Sequence, residues 1–439
     1  MTSFATVAPS ASKVRLILHR RRAGRRGGGL AIDPGGATFR GNLRPRRTMR
    51  YVVLGGGQQG SACAFDLLRH TDAPVLLVDR PGAPLAAFLA GAAPDRLRLV
   101  AADARDPGSI GAHLAPGDVV LNALPYYFNE PMTRLALEVG CHYADLGGHT
   151  ETVLRQKSWH EEARVRGVSV VPDCGLAPGL VNILAAYGIA QLDRARRVRI
   201  YVGGLPQRPE PPLQYQIVYS LEGVLDYYTT PSWVLRDGRP VQVEALSEVE
   251  SVHFEALGEL EAFHTAGGLS TMAQRYAGVV DSMEYKTLRY PGHAAIMRAI
   301  RDLGLLDLEP VAVDGHPVVP RRVFVAVVEP RLRKDPRQSP DLVALRVEVE
   351  GEQAAEPVRL EWEGIDRYDP TTGITAMMRT TGFSLAITGQ MQAEGRLPPG
   401  VWTPDEVVPA PEFLAALAAR GIRIAGRRVP LAARTGAQA

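Results

Sequence analysis

RYVVLGGGQQGSACAFDLLRHTDAPVLLVDR, residues 50–80, is the stretch on which the fold turns. Tyr51 to Leu54 are apolar without alternation, as in a strand buried on both faces, and they run straight into Gly55-Gly56-Gly57-Gln58-Gln59-Gly60. An apolar helical stretch follows through Leu68, so the segment reads as a βα turn. In such a turn Gly55 permits the bend, Gly57 lets the backbone approach a pyrophosphate, and Gly60 lets helix and strand pack closely. Gln58 and Gln59 open the helix, whose N-terminus faces the phosphates. A second apolar run ends in Asp79, nineteen residues past Gly60, where a carboxylate accepts both ribose hydroxyls. Asp79 repels a 2′-phosphate, which favours NAD over NADP; Arg80 beside it is the residue that would instead receive the extra phosphate.

Working outward, short strands alternate with helices as far as Pro172, the pattern of right-handed βαβ units and a parallel sheet covered on both faces. The expected fold class is α/β, a doubly wound Rossmann sheet over residues 49–194. Ligands in that fold sit beyond the C-terminal strand ends. Asp103 and Asn122 are therefore expected along the cofactor, and Tyr126, Asp145 and Asp173 near the chemistry. From Val198 the strands lengthen and alternate apolar with polar residues, as in Leu345-Arg346-Val347-Glu348-Val349-Glu350. A second, α+β domain on a largely antiparallel sheet is expected over 195–375, with Asp237-Gly238 as a hairpin turn. Residues 376–425 read as helices returning to the first domain, the longest covering 375–394, and 426–439 as a tail.

The chain has 439 residues, 46% of them apolar and 22% charged, with no apolar run long enough to span a membrane. Cys63, Cys141 and Cys174 form no CxxC pair, which speaks against disulfides and thiolate zinc and for a reducing cytoplasm. No paired histidine spacing occurs, so no metal is expected. Residues 1–48 hold ten arginines and Lys13 against Asp33, a net of +10, so a whole-chain charge of +3 leaves −7 for the rest. That leader has no hydrophobic periodicity and is expected to be disordered, with Met49 the better start. The acidic body argues against nucleic acid as a partner.

Longer blocks carry more than the glycine turn: Asn122-Ala123-Leu124-Pro125-Tyr126-Tyr127-Phe128-Asn129, Asp145-Leu146-Gly147-Gly148-His149, Pro172 to Gly179 (PDCGLAPG), Ser220-Leu221-Glu222-Gly223 and Tyr285 to His293 (YKTLRYPGH). In these the chain resembles the saccharopine dehydrogenase family over about residues 49–424, most of all its lysine 6-dehydrogenase members. The resemblance implies NAD-dependent oxidation of the lysine ε-carbon to 2-aminoadipate 6-semialdehyde, which cyclises to a piperideine carboxylate, with release of ammonia. A small amino-acid substrate and a homodimer or higher homo-oligomer are the partners expected.

That chemistry asks for a neutral amine, a hydride path and water at an imine. Asp173, Tyr126 and Asp145 are the catalytic candidates. Arg289, three residues before Gly292, offers a bidentate fork for the α-carboxylate. Glu222 is a candidate for the α-ammonium, and His264 with Thr265 for a polar contact in a loop. A saccharopine reductase or another C–N oxidoreductase of this fold would need further cations for a second dicarboxylate, for which Arg236, Arg239 and Lys286 are available. A dinucleotide-binding protein without turnover is the third reading.

Overall fold

Six parallel strands carry the first half of the chain: β1 (Tyr51–Leu54), β2 (Val75–Asp79), β3 (Leu97–Ala101), β4 (Val119–Asn122), β5 (His142–Asp145) and β6 (Ser169–Val171). Their order is β3-β2-β1-β4-β5-β6, so the chain reverses direction between β1 and β4 and opens a crevice there. β1 and β4 are wholly buried, which is why neither alternates. The computed structural model describes residues 49–431; the arginine-rich leader and the last eight residues lie outside the described residues. A seventh parallel strand, Gly400–Val401, is added beside β6 from far along the chain.

The second sheet is built on β7 (Arg194–Pro206), β8 (Ser232–Arg236), β9 (Arg239–Val243), β10 (Glu250–Phe254), β11 (Gly258–His264) and β12 (Ser282–Arg289). A separate hairpin follows, β13 (Val311–Val313) with β14 (His316–Val318). Then come β15 (Asp341–Gln353), β16 (Glu356–Arg367), the short β17 (Gly400–Val401) of the first sheet and β18 (Ala425–Pro430). The order is β10-β11-β12-β7-β15-β16-β18, antiparallel throughout except for the β12–β7 pair. Asp237 and Gly238 both take positive φ, +50° and +72°, the turn that matches strand twist in a two-residue hairpin. Residues 426–430, expected in the tail, instead form with Ala425 an edge strand: Arg427 reaches across to Glu361 on β16, giving a charge-rich segment a place in the sheet.

Helix Ala376–Ala393 returns to the first domain and packs on Gln58–His70, the helix of the glycine turn. Gly382 makes that approach possible, since a Cβ there would lie 2.6 Å from the Gln59 carbonyl oxygen. Gly389 does the same against Leu121 of β4. The largest core cluster therefore draws on both sheets and this helix. Among the described residues no helix is long and apolar enough to cross a membrane. The three cysteines are free and buried.

Candidate active site

Two adjoining hollows line the C-terminal ends of β1 to β5 and share Gly57, Ala123, Leu124, Pro125 and Tyr127. The smaller, about 450 Å³, is bordered by Gly55, Asp79, Arg80, Asp103 and Arg105. The larger, about 700 Å³, runs between the two domains. Together they have the layout of a groove for a long cofactor that opens into a reaction chamber.

The glycine turn is shaped for that cofactor. Gly55 has φ +91°, and a Cβ on Gly60 would meet the Gly55 carbonyl oxygen at 1.8 Å, so both positions need glycine. Gly57 caps the helix without a side-chain bond, no acid sits in the first turn, and nothing lies within 4 Å of where its Cβ would be. The first N–H groups of the helix are thus left for an anion. Gln59 borders the chamber, and both its amide atoms are buried without a partner among the described residues. Asp79 Oδ2 accepts from Gly56 N at 2.7 Å and Oδ1 from Arg80 N at 2.6 Å, which fixes the carboxylate at the groove. Arg105 is paired with Asp103, whose carboxyl it holds at about 2, leaving Arg80 as the other cation there. These features fit a dinucleotide. Asn122 is the exception: it is wholly buried, and its amide is spent on Asn129, Tyr143 and the Leu124 N–H, so it braces the loop rather than touching the groove.

Neither acid expected near the chemistry borders the chamber. Asp145 is fully buried and accepts from Gln156 Nε2 at 2.7 Å, Gly147 N at 2.8 Å and Asp173 N at 3.2 Å. Asp173 is buried with φ +67°, accepts from Gly148 N at 3.3 Å and takes a hydrogen bond from Ser270 Oγ. Burial pushes Asp173 up to about 7, with the Asp145 carboxylate adding to it, and burial pushes Asp145 up to about 6. Both sit behind the wall and hold the Gly147-Gly148 turn, because the chain bends there to bring its backbone, not its acids, to the surface. Tyr126 does reach the chamber. Its ring stacks on His149 at 4.8 Å, and burial raises its pKa, so at neutral pH the hydroxyl is a donor.

Across the chamber stands Arg289, 2% exposed. Its Nε donates to the Tyr228 hydroxyl at 3.1 Å, its Nη1 to the Leu288 carbonyl at 2.8 Å, and it lies over the Tyr215 ring at 4.9 Å. Among the described residues no carboxylate pairs with it and Nη2 makes no hydrogen bond. Thr265 borders the chamber and bonds Thr287 at 2.7 Å. His264 does not: as neighbours on an extended chain the two point to opposite faces. His264 is wholly buried among Glu248, Glu284 and the Tyr285 carbonyl, and burial lowers its pKa. Glu248, His264 and Glu284 lie close enough to share an ion, but Arg236 already bridges the two glutamates. Lys286 is bound to Glu250 there, and neither it, Arg236 nor Arg239 borders the chamber. Glu222 does border it, and so does Asp226, one helical turn on, which sequence reasoning missed. The i, i+4 spacing was the available signal; what holds Asp226, Arg321, is 95 residues away.

Two family models cover the chain: "Saccharopine dehydrogenase NADP binding domain" over residues 51–171 and "Saccharopine dehydrogenase C-terminal domain" over 175–422. Saccharopine dehydrogenase [NADP(+), L-glutamate-forming] of Saccharomyces cerevisiae is 24% identical over 276 residues, 61% of this chain and 60% of that protein. The mitochondrial alpha-aminoadipic semialdehyde synthase of Bos taurus is 25% identical over 209 residues, 44% of this chain and 22% of that one. The chain thus spans less than two thirds of these curated relatives. Among solved structures, the apo yeast saccharopine dehydrogenase (L-Glu forming) superposes with a TM-score of 0.71 at 19% identity, over 87% of this chain and 100% of that one. A homospermidine synthase from Legionella pneumophila in complex with NAD gives 0.64 at 11% identity, over 89% and 94%. At such identities these two likenesses concern the fold.

Proposed function

The chain belongs to the saccharopine dehydrogenase family, and we propose that it is an oxidoreductase that uses NAD to oxidise the ε-carbon of lysine. The amine first gives up its proton; a hydride leaves Cε and water adds to the resulting imine, so that ammonia and 2-aminoadipate 6-semialdehyde are released and the aldehyde closes to the piperideine carboxylate. Bound NAD supplies the hydride acceptor. The observation that carries the reading is Arg289, a buried arginine bordering the chamber with no carboxylate partner among the described residues. A buried unpaired cation is costly, and an incoming α-carboxylate compensates it with a bidentate, charge-assisted pair. Glu222 takes the α-ammonium. Tyr126 donates to the substrate or to the carboxamide of the cofactor, and Asp173 and Asp145 position the Gly147-Gly148 turn.

NAD rather than NADP is supported by the fixed Asp79 carboxylate at the ribose position. A second reading, a saccharopine-cleaving or saccharopine-forming enzyme that uses NADP, is favoured by the names of the relatives and of the family model. It calls for cations to match a second dicarboxylate, and Arg289 is the cationic side chain among those bordering the chamber. Following NADH or NADPH absorbance with the full chain, NAD or NADP, and separately lysine, ornithine and saccharopine tests the two. Turnover of lysine alone supports the proposal, and turnover of saccharopine with NADP overturns it.

A further inference from the structure

The second acid of the chamber has no part in the reading above, and its setting is unusual. Asp226 lies on helix Leu221–Thr229 four residues after Glu222, so both carboxylates occupy one face. Its Oδ1 is gripped by Arg321 Nη1 at 2.6 Å, while among the described residues Oδ2 accepts no hydrogen bond. Arg321 is itself 5% exposed and immobilised, with Nε on the Leu306 carbonyl at 2.7 Å and Nη2 on Thr229 Oγ1 at 3.0 Å. A carboxylate held by one oxygen and open at the other is built to receive a cation.

We infer that Asp226, oriented by Arg321, receives the terminal ammonium of the substrate and restricts the chamber to amino acids with a free amine at the far end of a carbon chain. An acidic pair alone would carry little; the independent pointer is Arg289, a residue 2% exposed whose Nη2 makes no hydrogen bond among the described residues and calls for an anion in the same chamber. Arg289 is anchored through Tyr228, which is about 200° round the helix from Asp226 at 3.6 residues per turn, so the two charges are held from different flanks of that helix. A secondary amine bearing a further dicarboxylate brings like charge to Asp226 and is repelled.

The inference rests on the amino-acid reading of the chamber, and binding separates it from turnover. Calorimetry on the full chain with NADH present, titrated with lysine and with norleucine, which lacks only the terminal amine, is expected to give about a tenfold or greater preference for lysine. Asp226→Asn should reduce that preference to about threefold or less and leave norleucine binding unchanged. Arg321→Met should weaken lysine selectively, with a melting curve to establish that the fold persists. Equal binding of lysine and norleucine to the unaltered chain, or a preference that survives in Asp226→Asn, overturns the inference. If the preference depends on Asp226 but no lysine is oxidised, the subsite stands and the proposed reaction falls; lysine turnover with a preference indifferent to Asp226 does the reverse.

Discussion

Replacing Arg289 by methionine keeps most of the side-chain volume and the packing over Tyr215 while removing the charge. The Tyr228 hydroxyl loses one partner but keeps His293 Nε2 at 3.0 Å, so no buried hydroxyl is stranded. Substrate binding should suffer far more than the fold. Loss of a hydrogen-bonded charge partner costs about 2–5 kcal/mol, roughly 30-fold to several thousandfold in kcat/KM at 1.4 kcal/mol per decade. Stability should move the other way or not at all, because a buried cation without a counter-ion is replaced by an apolar stem. The assay is NADH formation from lysine and from cadaverine, which shares the reacting aminomethylene but lacks the carboxylate. Lysine should fall by about 30-fold or more while any slow cadaverine oxidation changes by less than about threefold. Equal losses on both, or a lowered melting temperature, would mean the arginine supports the chamber; unchanged lysine kinetics would end its role as a clamp.

Calorimetry should find NAD binding well above NADP, and Asp79→Ala should narrow the gap; NADP binding as tightly to the unaltered chain would hand the ribose position to Arg80. Asp173 and Asp145 have folded-state pKa values raised to about 7 and about 6. Their carboxyls are therefore neutral and fully compatible with the fold below their ordinary values near 4, and stability declines as pH rises from there to about 7. Melting temperature should fall between pH 5 and pH 8, and Asp173→Asn, which tolerates the positive φ, should flatten that slope; a slope unchanged in the variant refutes the assignment. Gly382→Ala drives a Cβ against the Gln59 carbonyl and should both lower the melting temperature and weaken NADH binding, whereas an effect on stability alone would uncouple the returning helix from the glycine turn.

The sequence was most informative where backbone geometry restricts residue type. Gly55 and Gly60 are needed by the turn, and Asp237-Gly238 by a tight hairpin, so each position announces itself. Arg289, singled out for its place before a helix-opening Pro-Gly pair, does border the chamber, although the same spacing also suits an arginine on a strand edge. His264 and Thr265 show the opposite case: adjacent residues on an extended chain face opposite ways, and nothing in the string says which faces in. Asp145, Asp173 and Asn122 follow strands as site residues do, but so do residues that brace turns, and only burial tells the two apart. Asp226 was missed because only its i, i+4 spacing to Glu222 points to it and its partner Arg321 is distant in sequence, and the edge strand 425–430 because its apolar content is too low to mark a strand; Glu361 on its neighbour supplies the charge that holds it.

The returning helix also sets a timetable for synthesis. The helix that presents the phosphate-binding turn is made early, yet the surface it packs on, residues 376–393, comes some three hundred residues later, as does the seventh strand beside β6. At about 5–20 residues per second that interval is on the order of fifteen seconds or more. Throughout it the nascent first domain shows the ribosome and its attendant chaperones a bare apolar flank around Ala62 and Cys63, the flank that Gly382 later covers. Completion of the chamber, which Met377 and Thr381 of that helix border, is thus one of the last events in the life of the emerging chain.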